Sequence, residues 1–117
     1  MRFAIFGDIH SNLEALQAVL ADAEANHCTH FVCLGDIVGY AADPKACLDV
    51  VRSLGCPVVK GNHDELACMD FSPDNVSGLA VEGIIHTRKQ LLQEDFDWLS
   101  SLKFVRNVRD FSDKLPK

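Results

Sequence analysis

Phe3-Ala4-Ile5-Phe6-Gly7-Asp8-Ile9-His10 decides how the rest of the chain is read. Four apolar residues in a row, stopped by a glycine, fit a short strand buried on both faces. Directly beyond stand a carboxylate and an imidazole two residues apart, whose side chains point the same way on extended backbone. The pattern recurs twice. His30 to Leu34 reads as a second strand, ended by Gly35-Asp36 with Gly39 following. Pro57-Val58-Val59 reads as a third, cut off at Lys60-Gly61 and followed by Asn62-His63-Asp64.

Helical patterns fill the gaps. Leu13, Leu16, Val19, Leu20 and Ala23 recur at helical spacing behind Ser11 or Asn12 as a cap. Asp43-Pro44 supplies an N-cap and a proline at the first helical position. Cys47, Val50, Val51 and Leu54 form that helix's stripe, and Gly55 can close it. Strands alternating with helices, over connections too long for hairpins, predict an α/β chain of order β-α-β-α-β with parallel strands and right-handed crossovers. Ligands collect at the carboxyl ends of such strands, where all three polar stretches fall.

Past Asp64, Phe71 to Asn75 reads as a turn-rich link. Ala80, Val81, Ile84, Ile85, Arg88, Leu91 and Leu92 then mark one face of a long helix. A shorter helix follows with Phe96, Leu99 and Leu102 inward, and Glu94, Asp95 and Asp97 near its start, where the dipole favours them. Phe104 to Val108 has the composition of a fourth strand, and the polar residues 112–117 are expected to fray.

The 117 residues amount to a single domain, and 48% apolar content suits a globular chain. A net charge of −6 without any basic run disfavours nonspecific contact with nucleic acid or acidic membranes. No stretch approaches the roughly 20 apolar residues of a membrane-spanning helix, and no signal peptide is visible. Five cysteines without paired spacing read as reduced thiols, so a cytoplasmic location is expected.

The three polar stretches carry metal-ligand chemistry. Asp8 and His10 can reach one ion, Asp36 has two oxygens with which to bridge two, and Asn62 offers a neutral amide oxygen. Carboxylate with neutral imidazole suits manganese, iron or zinc better than calcium. Two ions about 3.5–4 Å apart would clamp a phosphoryl group. His63 would then face the leaving-group oxygen, with Asp64 holding its far nitrogen. Tyr40 either lines the substrate path or packs. His86, within the long helix, reads as packing or solvent-facing, and Lys60 as a phosphate attractor or a solvated strand-end lysine.

Taken together the blocks resemble the calcineurin-like metallophosphoesterase family, whose Asp-x-His, Gly-Asp and Gly-Asn-His-Asp/Glu motifs stand here as Asp8-His10, Gly35-Asp36 and Gly61-Asn62-His63-Asp64. Small bacterial and archaeal phosphodiesterase-like members are the most similar. Gly7 and Ser11 replace the serine and second glycine of their Ser-Asp-Ile-His-Gly-Asn-Leu block.

The resemblance implies the N-terminal half of a two-layer β-sandwich flanked by helices, two divalent transition metals (Mn, Fe, Zn or Ni) and hydrolysis of phosphomonoesters or phosphodiesters. By that analogy Asp8, His10 and Asp36 hold the first metal and Asp36 and Asn62 the second, while His63 works on the phosphate. The family's later histidine blocks, Val-His-Gly and a Gly-His-Thr-His-like stretch, are absent. A C-terminally truncated domain is therefore expected, with activity in doubt. The alternative is an impaired remnant that binds metal or phosphate weakly, or acts through self-association, a second copy covering the exposed core face. The expected partner is a small phosphate ester, with no membrane and with nucleic acid only as a phosphodiester substrate.

Overall fold

Strands β1 (Phe3–Phe6) and β2 (His30–Cys33) lie parallel, in a register running from Phe3 opposite His30 to Phe6 opposite Cys33. The structure is a computed structural model and describes residues 1–69 and 78–107. The crossover between the strands is helix α1 (Leu13–Ala25), whose Asn12 cap accepts the Ala15 N–H at 3.1 Å. Leu16 and Ala23 are its buried residues. Helix α2 (Pro44–Ser53) starts on the expected proline and buries Cys47, Leu48 and Val51. The Asp43 side chain makes no cap bond there.

The β-α-β-α-β order is met only in part. Among the described residues the sheet has two strands, and the expected third is reduced to isolated parallel bridges, Cys33 with Val58 and Val59 with Lys103. The reason is local. Pro57 has no N–H to donate and serves only as acceptor for Cys33 N–H, at 3.0 Å. Five residues later the chain turns into α3 (Asn62–Cys68), a short helix with no apolar stripe to announce it. The expected fourth strand does not form over residues 104–107, the nearest pairing being the bridge of Lys103 just before it, and Val108 lies outside the described residues. So do the 71–75 link and the 112–117 tail.

Helices α4 (Gly78–Gln90) and α5 (Gln93–Ser101) complete the described elements. The α4 stripe is rotated from the expected one. Ala80, Gly83, Ile84 and Thr87 are buried, whereas Ile85 and Leu92 are exposed. One core joins the layers, built from Leu16, Cys33, Leu48, Val51, Val58 and Leu99 and completed by Ile37 and Val38 from the segment after β2. Each large aliphatic side chain buried there contributes about 2 kcal/mol. Phe6, Cys33 and Val58 turn toward this core, while Phe3, Ile5 and Leu34 leave the sheet's other face apolar and exposed. No helix among the described residues is long and apolar enough to cross a membrane.

One buried carboxylate ties α5 to α2. Asp95, fully buried, accepts the Leu92 N–H at 2.8 Å and ion-pairs with Lys45 at 3.0 Å and Arg52 at 3.2 Å. Burial alone would push its carboxyl up, but the Leu92 amide and Lys45, aided by Arg52, hold it below the ordinary range. A depressed carboxyl stabilises the fold above its unfolded value and loses that contribution as pH falls through the folded one. Asp95→Asn keeps an oxygen for the Leu92 N–H but removes the charge that Lys45 and Arg52 face, and is therefore expected to lower stability at neutral pH by about 1 kcal/mol. In urea melts across a pH series the gap to wild type should be full above pH 3.8 and close below it.

Candidate metal centre

Beyond the strands, the backbone pairing of β1 and β2 continues into two loops. Asp8 N–H donates to Gly35 O at 3.1 Å, His10 N–H to Asp36 O at 2.8 Å and Ser11 N–H to Ile37 O at 2.8 Å. To run side by side both loops adopt left-handed backbone. Among the described residues six non-glycines have positive φ, and five lie here: Asp8 (50°), His10 (44°), Ser11 (62°), Asp36 (53°) and Tyr40 (60°). Such residues cost on the order of 1 kcal/mol or more each and persist only where the surroundings over-determine them. Gly35, at φ 89°, is required twice over, since a Cβ there would stand 2.4 Å from Val59 O.

What over-determines the second loop is Asp64. Its carboxylate accepts N–H bonds from Asp36 (2.8 Å), Ile37 (2.9 Å) and Val38 (3.4 Å), and from Gly61 at the start of its own helix (3.0 Å). These bonds correct the role expected of Asp64. As the third residue of α3, its side chain folds back over the helix start and is committed to backbone amides rather than to the His63 ring. Burial pushes its carboxyl above the ordinary range, against the pull of the Gly61, Ile37 and Asp36 amides. Gly61 is pressed so closely on Asp36 that a Cβ would lie 2.3 Å from Asp36 Oδ1.

Asp8, His10 and Asp36 converge, each offering a ligand atom within 4.8 Å of the others. His10 Nδ1 lies 3.1 Å from Val38 O, a bond it makes as donor, and its Nε2 faces Asp8 Oδ1 at 3.7 Å. That bond leaves Nε2 deprotonated in the neutral ring, the state a metal ligand needs. Asp36 Oδ1 accepts the His63 N–H at 2.9 Å, which fixes the carboxylate. Two carboxylates and an oriented imidazole fit a divalent transition ion.

His63 is buried, its Nδ1 without a hydrogen-bond partner and backed by Gly39, where a Cβ would sit 2.5 Å away. Desolvation first, and His10 second, hold its imidazole below the ordinary value, while Asp36 and Asp8 pull the other way. Its ring packs 4.8 Å from that of His10 and 4.7 Å from that of Tyr40, centroid to centroid. Asn62 is exposed at the first position of α3, between Gly61 and His63, both of which touch Asp36.

Other residues singled out in the sequence are engaged elsewhere. Lys60 pairs with Glu65 at 2.9 Å and donates to Ser100 O at 3.2 Å. His86 Nε2 bonds Ala42 O at 2.8 Å. Two supports escaped the sequence reading. Thr87 Oγ1 accepts the Gly39 N–H at 3.2 Å, and Gly83 lets α4 lie on the loop, since a Cβ there would be 2.4 Å from Tyr40 N. A glycine inside a helical pattern was the available signal for the second; a threonine at an inward position offers none.

With this geometry, comparison with known proteins assigns the class: the chain belongs to the calcineurin-like phosphoesterase family, whose model matches residues 1–115. It is 41% identical over 102 residues to an uncharacterized protein of Methanocaldococcus jannaschii, a match covering 87% of this chain and 42% of that protein. A metallophosphoesterase of Sphaerobacter thermophilus is 40% identical, with a TM-score of 0.72 over 87% of this chain and 41% of the other. A hypothetical protein of Pyrococcus horikoshii shares the fold at 22% identity, with a TM-score of 0.77 over 86% and 47%. The chain thus spans less than half the length of these relatives.

Asp64→Asn places an amide donor against backbone donors. It is expected to cost about 2–3 kcal/mol in denaturant melts and to weaken metal binding as well, because the loop carrying Asp36 loses its anchor. Unchanged stability would remove Asp64 as the anchor.

Proposed function

We propose that this chain binds a divalent transition metal through Asp8, His10 and Asp36, receives a phosphate ester beside it, and turns that ester over slowly at best. The observation that carries this reading is the three-ligand cluster within 4.8 Å, built on two interlocked loops. Three protein ligands hold an ion and leave positions open for a substrate oxygen. When bound, the ion would polarise a phosphoryl oxygen and acidify water. The chain's own contribution is positioning. His10 is set by Val38, Asp36 by the His63 amide, and the neutral His63 ring lies beside both as hydrogen-bond partner for the phosphate.

The second reading is hydrolysis of phosphomonoesters or phosphodiesters by a dinuclear centre. It is carried over from the family, with Asp36 shared between the ions, Asn62 on the second and His63 as acid to the leaving group. Its support is the position of Asn62 between two residues, Gly61 and His63, that touch Asp36. In both readings Asp64 is a positioning residue.

Manganese titration by calorimetry, with hydrolysis of an aryl phosphodiester followed on the same sample, separates the readings. One ion per chain with little turnover is the expected result, and Asp36→Asn should weaken metal binding by more than about tenfold. Two ions per chain with brisk turnover would establish the dinuclear enzyme. No metal binding by the folded chain would overturn both.

A further inference from the structure

Next to the candidate centre, on its α4 side, lies a shallow groove of about 550 Å³ lined by Tyr40, Ala41, Ala42, Leu79 and Gly83. Tyr40 belongs to both places. Its ring packs 5.0 Å from His10 and 4.7 Å from His63, yet the residue remains 52% exposed and forms one wall of the groove. The left-handed backbone at Tyr40 and the direct seating of Gly83 on its amide fix where that ring stands. Leu79, 76% exposed, is the outer apolar wall.

The polar groups in the groove are few. His86 spends Nε2 on Ala42 O, which pins the Ala41-Ala42 wall to α4. Glu82 is the remaining ionisable lining group, and no lysine or arginine lines the groove among the described residues. A carboxylate without a cation repels further phosphates. The space is larger than a lone phosphate needs and lies within the range of small-molecule sites.

We propose that this groove receives the alcohol side of the phosphate ester, and that this group is a flat, uncharged ring packed between Tyr40 and Leu79. Esters with a second phosphate or a carboxylate on that side are disfavoured by Glu82. The inference rests on the phosphate-binding reading above and names its substrate class.

The test uses the full 117-residue chain loaded with manganese, and calorimetric affinities for two probes, methylphosphonate and phenylphosphonate. Phenylphosphonate is expected to bind about tenfold more tightly at a pH where both probes are dianions, so that the added ring contact is the main difference. The ratio should fall toward one in Tyr40→Ala and also in Leu79→Ser, an exposed change that leaves the core intact. Equal affinities in the wild type would overturn the groove and leave the phosphate site standing. A preference undiminished in both variants would likewise overturn it. Binding of neither probe by metal-loaded protein would overturn the groove and the phosphate-binding reading together.

Discussion

The Asp64 carboxylate and the four backbone N–H groups that converge on it are the constraint from which the rest of the site follows. The segment leaving β2 buries Ile37 and Val38 in the core, so its amides are cut off from water without a strand to pair with. Unsatisfied, each would cost about 1–3 kcal/mol. One buried anion satisfies three of them and the first amide of α3 as well. The desolvation of that anion is offset only in part by charge-assisted bonds, stronger than neutral ones, since burial still holds its carboxyl above the ordinary range. Fixing the loop in this way aims Asp36, and fixing the helix start delivers the His63 amide to it. The candidate centre is thus held by backbone contacts beneath it more than by contacts among its own side chains.

From the opposite side α4 holds the same loop. Thr87 accepts the Gly39 amide and Gly83 admits the backbone of Tyr40 to contact distance. The loop therefore lies between two helices, α3, which begins with the third polar motif, and α4, which follows it. Residues past Gly61 are as necessary to the position of Asp36 as the strand that precedes it. The family match along residues 1–115 accords with this, since the motifs and the helices behind them form one unit.

Much of this was legible in the sequence, and the exceptions have physical causes. The two strands and the α1, α2, α4 and α5 helices announced themselves by apolar periodicity, caps and proline placement. Helix α3 did not, because seven residues are too few to display a periodic stripe and Asn62-His63-Asp64 reads equally well as a polar turn. The third strand is reduced to bridges because Pro57 has no N–H to give the ladder, a loss that apolar content does not register. At the site, residue types gave the cluster of Asp8, His10 and Asp36, whose chemistry is local. The partners of Asp64 are hidden in the sequence because a carboxylate next to a histidine suggests an orienting pair, whereas its third position in a helix sends it to backbone amides. The α4 stripe was displaced because Gly83 and Thr87 face inward for contact with the loop, and hydropathy alone favours Ile85.

The left-handed backbone at Ser11 bears on the stability margin of the whole chain. There φ is 62° and the residue is fully buried, its hydroxyl without a partner among the described residues. Serine therefore burdens the fold twice, through its backbone and through a dry polar group. A glycine there would relieve both, a gain on the order of 1 kcal/mol against a total that is small in any domain of this size. With serine in place the fold has that much less margin for other destabilising changes. Its neighbours in the first loop, Asp8 and His10, bear the same backbone cost but have no such relief, because the glycine that would relax them would erase the ligands.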